Sequence, residues 1–107
     1  MEIKEAKVIS DKELFVNVKD VSVLIKTLNN KIRQQIIRLL ESHERLTVTE
    51  ILIHLRLLQS ITSQHLSILR REGIVVTRRE GKNIYYELNH ARFEEIRQFV
   101  EALPRKL

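Results

Sequence analysis

Residues 60–73 read SITSQHLSILRREG, and their spacing predicts a helix with two chemically different sides. Thr62, Leu66 and Leu69 fall at positions i, i+4 and i+7, so they line one narrow face that we expect to be buried. The opposite side carries short uncharged side chains, and no carboxylate precedes Glu72. Such a helix packs through its buried stripe and leaves a polar face in solvent.

The chemistry of that polar face suits the edges of DNA bases. Small amides and hydroxyls approach bases without steric or charge conflict, and glutamine can make a paired contact to adenine. Ordinary solvation of a helix face is the alternative explanation. We interpret residues 59–72 as the recognition helix of a winged helix-turn-helix, and the predicted base-reading residues are Gln59, Ser60, Ser63, Gln64 and Ser67. The free amides near Gln59 and Ser60, at the helix start, are predicted to bind a phosphate.

A hairpin is predicted after Gly73, because glycine at this position ends the helix. Residues 74–79 are rich in β-branched side chains and predict a strand. Residues 80–83 predict a turn, and residues 84–88 predict the returning strand. This hairpin, residues 74–88, is the predicted wing.

Positive charge is concentrated at the end of the helix and along the wing. From residue 70 to residue 82 there are five basic and two acidic side chains, a local balance of 5 − 2 = +3. Contacts from the wing to phosphates or the minor groove are therefore predicted for Arg78, Arg79 and Lys82, and Arg70 at the helix end is a further predicted DNA-binding residue. Two alternatives stay open, because charged edges also keep hairpins from aggregating and cations near a helix C-terminus are favourable without a ligand.

The other helices are predicted from apolar spacing and from capping residues. Residues 11–28 place apolar side chains every three or four positions, a heptad-like seam that packs on the core or meets a second copy of the chain. Asn30 is the predicted N-cap of a second helix, and Thr47 with Glu50 forms the predicted capping box of a third. A last helix is predicted over residues 89–103.

Length and composition indicate a single cytoplasmic domain of 107 residues. The net charge of +5 favours polyanionic partners, and the absence of cysteine removes disulfides and thiolate metal sites. No apolar run approaches the length of about 18 residues that a membrane span needs, so no membrane partner is predicted. With two glycines and no phosphate-loop, nucleophile-elbow or zinc-protease pattern, neither catalytic residues nor a cofactor is predicted. Residues 1–10 lack a period and predict a mobile or loosely docked arm.

Two stretches, QSITSQHLSILRREGIV and TRREGKNIYYEL, resemble the recognition helix and the wing of the ArsR/SmtB family of winged-helix repressors. A weaker likeness lies in LNNKIRQQIIRLL, which resembles the segment where Arg33 follows the break into the second helix. The resemblance implies a homodimer joined through the first and last helices, residues 11–28 and 89–103, on double-stranded DNA with a two-fold symmetric operator. It also implies repression that an effector of unknown identity relieves.

The family's metal-sensing positions are replaced in this sequence. A Cys-x-Cys pair that many members carry at the start of the third helix aligns with Thr47 and Thr49, and neutral hydroxyls are poor ligands for soft metals. A second family site aligns with four residues of which only the first can ligate a metal, namely His90, Arg92, Leu103 and Lys106. No metal site is therefore predicted.

The turn within the predicted helix-turn-helix, residues 47–72, also departs from the family pattern. Arg56 and Leu58 stand where glycine and serine are common. A longer third helix is therefore an alternative to the usual turn.

Together these observations predict a mainly α-helical fold of about five helices with a two-stranded wing. The predicted function is that of a sequence-specific transcriptional regulator, a dimeric repressor without the family's usual metal ligands. The alternative function is a winged helix that binds protein and has no operator. Such a module exposes an apolar patch on the third helix or the wing, and the residues that test it are Ile61, Ile68 and Val75.

Overall fold

The computed structural model describes residues 21–102, and within that range five helices pack with a three-stranded antiparallel sheet. Residues 21–28 form the described part of α1, and the later elements are α2 (Lys31–Ser42), β1 (Leu46–Thr47), α3 (Val48–Leu55), α4 (Gln59–Arg71), β2 (Val75–Glu80), β3 (Asn83–Leu88) and α5 (His90–Ala102). The fold is the predicted winged helix-turn-helix. The predicted arm at residues 1–10 and the first half of the predicted seam, residues 11–20, lie outside the described residues.

The buried stripe of α4 organises the core. Thr62, Leu66 and Leu69 have no exposed surface, which confirms the prediction made from their spacing. They pack with buried side chains from α1, α2, α3 and the sheet, which include Leu24, Ile36, Leu40, Ile51, Val75 and Leu88. Because burying an aliphatic side chain of this size contributes about 1.5–3 kcal/mol, this stripe holds α4 firmly against the rest of the domain.

Side chains cap the helix starts where the sequence predicts them. The Asn30 Oδ1 accepts a hydrogen bond from the Arg33 amide at 3.1 Å. In α3 the Thr47 hydroxyl accepts from the Glu50 amide at 3.2 Å, and the Glu50 carboxylate accepts from the Thr47 amide at 2.9 Å. These caps satisfy amides that the helix geometry leaves free, each worth about 1 kcal/mol.

The turn between α3 and α4 keeps its usual length despite the absence of glycine. Arg56 adopts the left-handed conformation, with φ 56° and ψ 49°, and the Leu57 amide donates to the Leu52 carbonyl at 3.0 Å. The alternative of a longer third helix is therefore wrong. A side chain in this conformation costs about 1–2 kcal/mol, since Cβ crowds the backbone. Leu58 is the N-cap of α4 and supplies no side-chain hydrogen bond.

The sheet has one more strand than the predicted two-stranded wing. β1 pairs with β3, with Leu46 opposite Tyr86 and Thr47 opposite Tyr85, so the strand order is β1-β3-β2. The wing strands are β2 and β3, and their turn is two residues rather than four, with Gly81 at φ 64°. A strand of two residues is too short to show alternation, which is why its sequence gave no signal.

Candidate nucleic-acid interface

The polar face of α4 points away from the core as predicted. Gln59, Ser60, Gln64 and Ser67 are exposed, and Ser63 is half-buried beside them. The face results from the burial of the opposite stripe, because residues three and four apart share a side of the helix. It presents amide and hydroxyl groups without a carboxylate, which is the chemistry that base edges accept.

The start of α4 leaves backbone amides free, as the phosphate contact predicted near Gln59 and Ser60 requires. The first hydrogen bond of the helix runs from the Thr62 amide to the Leu58 carbonyl at 3.0 Å. The amides of the three preceding residues have no acceptor within the helix, and the N-cap side chain does not supply one. Together with the positive end of the helix dipole, these amides favour a phosphate next to Gln59 and Ser60.

The end of α4 carries two arginines in different surroundings. Arg70 is exposed and forms no ion pair with another residue of the described range 21–102. Arg71 pairs with the neighbouring Glu72, whose carboxylate oxygen lies 3.2 Å from Nε. Of the two, Arg70 is the cation without a competing carboxylate, so it is the better placed for a phosphate.

The wing does not bring its three predicted DNA-contacting residues into one patch. Arg78 lies opposite Tyr85 and Arg79 lies opposite Ile84, so the two arginines are on opposite faces of the hairpin. The Arg78 Nε donates to Glu87 at 2.9 Å, while the Arg79 Nε makes only a long bond of 3.5 Å to the Gly81 carbonyl. Lys82 is exposed at the turn.

His65 connects the recognition helix to the first two helices. Its Nδ1 accepts a hydrogen bond from the Arg33 Nε at 3.2 Å, and the Arg33 Nη1 donates to the Thr27 carbonyl at 3.0 Å. Partial burial, and then the charge of Arg33, lower the pKa of the His65 imidazole, which therefore stays neutral at pH 7. The residue acts in packing and hydrogen bonding, as predicted from its place beside the buried stripe.

Two groupings in the structure had no signal in the sequence. Arg45, directly before β1, pairs with Glu80 at the end of β2 and lies over the ring of Tyr85. His43 and His54 bring their ring centroids within 5.0 Å of each other. The partners in each grouping are far apart along the chain, and no periodic pattern connects them.

The replaced metal positions have other contacts in the structure. The Thr47 hydroxyl caps α3, and the Arg92 guanidinium pairs with Glu95 at 3.2 Å. Leu103 and Lys106 lie outside the described residues. Across residues 21–102, no three histidine or acidic side chains are grouped to hold a metal ion, and no helix combines the length and apolar character needed to cross a bilayer.

The residues that test the protein-binding alternative do not form an exposed apolar patch. Ile61 and Ile68 are half-buried on α4, and Val75 is buried at the base of the wing. The exposed large apolar side chains around the helix-turn-helix and the wing are instead Ile53 on α3, Leu58 before α4 and Ile84 on β3. The uncharged polar face of α4 and the exposed basic side chains of the wing weigh against the protein-binding module.

Two packed helices, an outward polar face on the second and a basic hairpin after it define a winged helix-turn-helix DNA-binding domain. Residues 30–77 match the family model described as bacterial regulatory protein, arsR family. The chain belongs to this ArsR family of transcriptional regulators.

The named relatives include both an activator and a repressor of transcription. The chain is 41% identical over 83 residues to the transcriptional activator HlyU of Vibrio cholerae, a match that spans 78% of this chain and 73% of that protein. It is 39% identical over 83 residues to the transcriptional repressor PagR of Bacillus anthracis, spanning 77% and 82%. A homodimeric winged helix-turn-helix DNA-binding domain from Mycobacterium bovis, solved by NMR, superposes with a TM-score of 0.69 at 28% identity, covering 94% of this chain and 96% of that one.

Proposed function

We propose that this chain is a homodimeric repressor that binds an operator of two-fold symmetry, with α4 of each subunit in a major groove. The observation that carries this proposal is the burial pattern of α4. Its apolar stripe is fully buried, so its uncharged polar face is held outward in one orientation. A helix held in this way presents its side chains to base edges with little loss of conformational freedom.

Base discrimination in this proposal belongs to Gln64 and its neighbours on the polar face. Gln64 lies at the middle of α4 and is exposed, so its amide can make the paired contact that adenine accepts. Ser63 and Ser67 flank it and tolerate several bases. Gln59 and Ser60 lie at the helix start, where a phosphate also finds free backbone amides.

Affinity in this proposal comes from phosphate contacts made by the basic residues. Arg70, Arg79 and Lys82 are exposed and have no carboxylate partner within residues 21–102, so each can reach a phosphate without breaking an ion pair. Arg78 exchanges Glu87 for a phosphate, an exchange that costs little because exposed ion pairs contribute little to stability. Since Arg78 and Arg79 lie on opposite faces, the hairpin must insert edgewise for both to contact DNA.

Dimerisation in this proposal uses α1 and α5. Each of these helices leaves a large apolar side chain exposed, Ile25 at 61% and Val100 at 57%. A second copy of the chain would cover such side chains, and the related domain from Mycobacterium bovis is homodimeric. Two-fold symmetry then puts the half-sites about 34–36 Å apart along the duplex, one helical turn, or a multiple of that.

Regulation in this proposal does not use the family's metal sites, and the effector is unknown. Thr47 and Thr49 replace soft ligands, and the Thr47 hydroxyl already serves as a cap. Adding zinc to the DNA complex should leave its affinity unchanged. A location in the cytoplasm, where such a regulator meets DNA, stays a prediction.

The experiment that tests this proposal is selection of bound sequences from a random duplex library. The wild-type chain is incubated with the library at low salt, and bound duplexes are eluted at high salt and sequenced. We expect a palindromic consensus, with or without added zinc. Passage of the whole library through the immobilised protein at low salt would contradict DNA binding, and a single unpaired half-site would contradict the dimer.

A further inference from the structure

Near its turn, where its proposed function favours positive charge, the wing carries the acidic residue Glu80. Glu80 ends β2, beside the turn and two positions from Arg78 and Lys82. A carboxylate near the DNA backbone repels phosphates, so on charge alone Glu80 would weaken binding. Its contacts give it a different role.

Glu80 is held by a residue from another element. Both carboxylate oxygens of Glu80 accept from the guanidinium of Arg45, with 2.9 Å between Arg45 Nη2 and Glu80 Oε1 and a second bond from Nη1 to Oε2. The Arg45 guanidinium carbon also lies 4.3 Å from the ring centroid of Tyr85, a cation–π contact. Because the strand order is β1-β3-β2, Arg45 reaches across the central strand to the far strand of the wing.

The outer half of the wing has few other attachments to the domain. Buried side chains lie at its base, Val75 and Leu88, whereas the residues from Arg78 to Ile84 are all exposed. Within residues 21–102, the side-chain hydrogen bonds of Arg78 and Arg79 stay inside the hairpin. Among the residues that the structure describes, the hydrogen bond from Arg45 is therefore the side-chain contact that joins the wing tip to the rest of the protein.

We propose that Arg45, Tyr85 and Glu80 form a wing clamp that orients the wing tip toward DNA, so that Glu80 raises DNA affinity in spite of its charge. Glu80 and Arg45 are positioning residues in this proposal, which rests on the proposed function. A planar guanidinium that makes two parallel bonds and stacks on an aromatic ring fixes direction as well as distance. Arg79 and Lys82, which flank Glu80, are then presented to the duplex in one orientation.

The test asks whether a substitution that removes the charge of Glu80 strengthens or weakens DNA binding. Glu80→Gln removes a negative charge, so simple electrostatics predicts tighter binding to any duplex. The wing clamp predicts weaker binding, by about two- to fivefold, which is the range that an exposed ion pair supports. Glu87→Gln is the matched control, because it makes the same change in the same hairpin but breaks only the internal pair with Arg78. We expect Glu87→Gln to bind as tightly as wild type or more tightly.

A second background separates positioning from charge. In Arg45→Gln protein the clamp is already absent, so Glu80→Gln should now leave affinity unchanged or raise it. Affinity is measured by fluorescence anisotropy on a random-sequence duplex of about 30 base pairs at low salt, long enough for two half-sites one turn apart. Circular dichroism confirms that each variant is folded.

Each outcome decides between the proposals. A loss of affinity for Glu80→Gln in wild type, with no loss in Arg45→Gln, supports the wing clamp. Tighter binding of Glu80→Gln in wild type, equal to that of Glu87→Gln, overturns the wing clamp and leaves the proposed function standing. Absence of binding by the wild-type chain to any duplex overturns the proposed function, and the wing clamp with it.

Discussion

The recognition helix and the wing carry the same proposed task, contact with DNA, but they are held by different forces. α4 is anchored by a stripe of three side chains without exposed surface. The outer half of the wing has no buried side chain within the described residues, and its side chains are tied by ion pairs at the surface, Arg45 with Glu80 and Arg78 with Glu87. Burial therefore fixes the position of α4, whereas ion pairs at the surface hold the outer half of the wing.

This difference matches the separate roles proposed for the two elements, which are sequence specificity for α4 and affinity for the wing. Base reading needs side chains placed accurately, and burial provides this at any ionic strength because packing is not screened by salt. Phosphate contacts tolerate small shifts, so an element held by surface ion pairs is sufficient for them. The wing should therefore respond to salt and charge changes, and α4 should respond to changes in packing.

The largest effect is expected from breaking the packing of α4. Leu66→Ala removes a fully buried side chain and should lower the free energy of unfolding by about 2–5 kcal/mol, since a cavity adds to the lost transfer energy. Urea denaturation measures the change. Ser67→Ala, one position along on the exposed face, is the control and should stay within about 0.5 kcal/mol of wild type. Equal effects of the two variants would mean that burial does not hold α4.

Comparing one residue from each region tests the division between specificity and affinity. Gln64→Ala should relax the preference at one base position by about 1–3 kcal/mol. Arg79→Ala should weaken binding to all duplexes alike and lower the salt slope by about one unit. Titrations with the selected operator and with its point variants, at several salt concentrations, measure both effects.

The control for this comparison is an arginine outside the proposed DNA-binding surface. Base preference and salt slope are both measured for each variant. Arg38→Ala, on the exposed side of α2, makes the same charge change as Arg79→Ala and should leave the salt slope nearly as in wild type. A change of base preference in Arg79→Ala, or of salt slope in Gln64→Ala, would contradict the division of roles.

A smaller effect is expected at the turn that leads into α4. Arg56→Gly removes a side chain from the left-handed conformation and should raise the free energy of unfolding by about 0.5–1 kcal/mol, the strain less the added backbone entropy of glycine. The same substitution inside a helix, Arg38→Gly, should lower it by about 1 kcal/mol. Thermal denaturation of the two variants should show shifts of opposite sign, and shifts of the same sign would refute the assigned strain.

The smallest effect is expected from a change of pH, to which His65 on α4 and Glu80 on the wing respond differently. The unfolded chain protonates His65 near pH 6.5, about its ordinary pKa, whereas the folded chain resists because the pKa of His65 is lowered. The unfolded state therefore binds more protons, and stability should fall as the pH drops below about 6.5. The Arg45 hydrogen bond lowers the pKa of Glu80, so that carboxylate stays charged through the same range.

The variant His65→Gln isolates this contribution. Glutamine offers an oxygen to the Arg33 Nε but has no proton to gain, so the loss of stability between pH 7 and 5 should be smaller than in wild type. Urea denaturation across that range measures it, and an identical pH dependence in the two proteins would show that His65 does not contribute.

Much of the site was predictable because its signals are local. The stripe of α4, the cap at Asn30 and the capping box at Thr47 each depend on residues three or four positions apart, and all three are confirmed. The opposite faces of Arg78 and Arg79 also follow from strand alternation, although charge alone placed them in one group. The turn at Arg56 was not predictable from local signals, because the strain in one residue is offset by the packing of the two helices on either side of it.

The sequence by itself determined which face of α4 is buried and which residues cap α2 and α3, since those choices follow from spacing along a single element. Only the tertiary structure decided that β1 joins the sheet, that Arg45 reaches Glu80 and that Arg33 binds His65. Arg45 and Glu80 lie 35 positions apart in the chain, and Arg33 and His65 lie 32 positions apart. Their meeting depends on how the elements pack together, and packing geometry leaves no period in the chain.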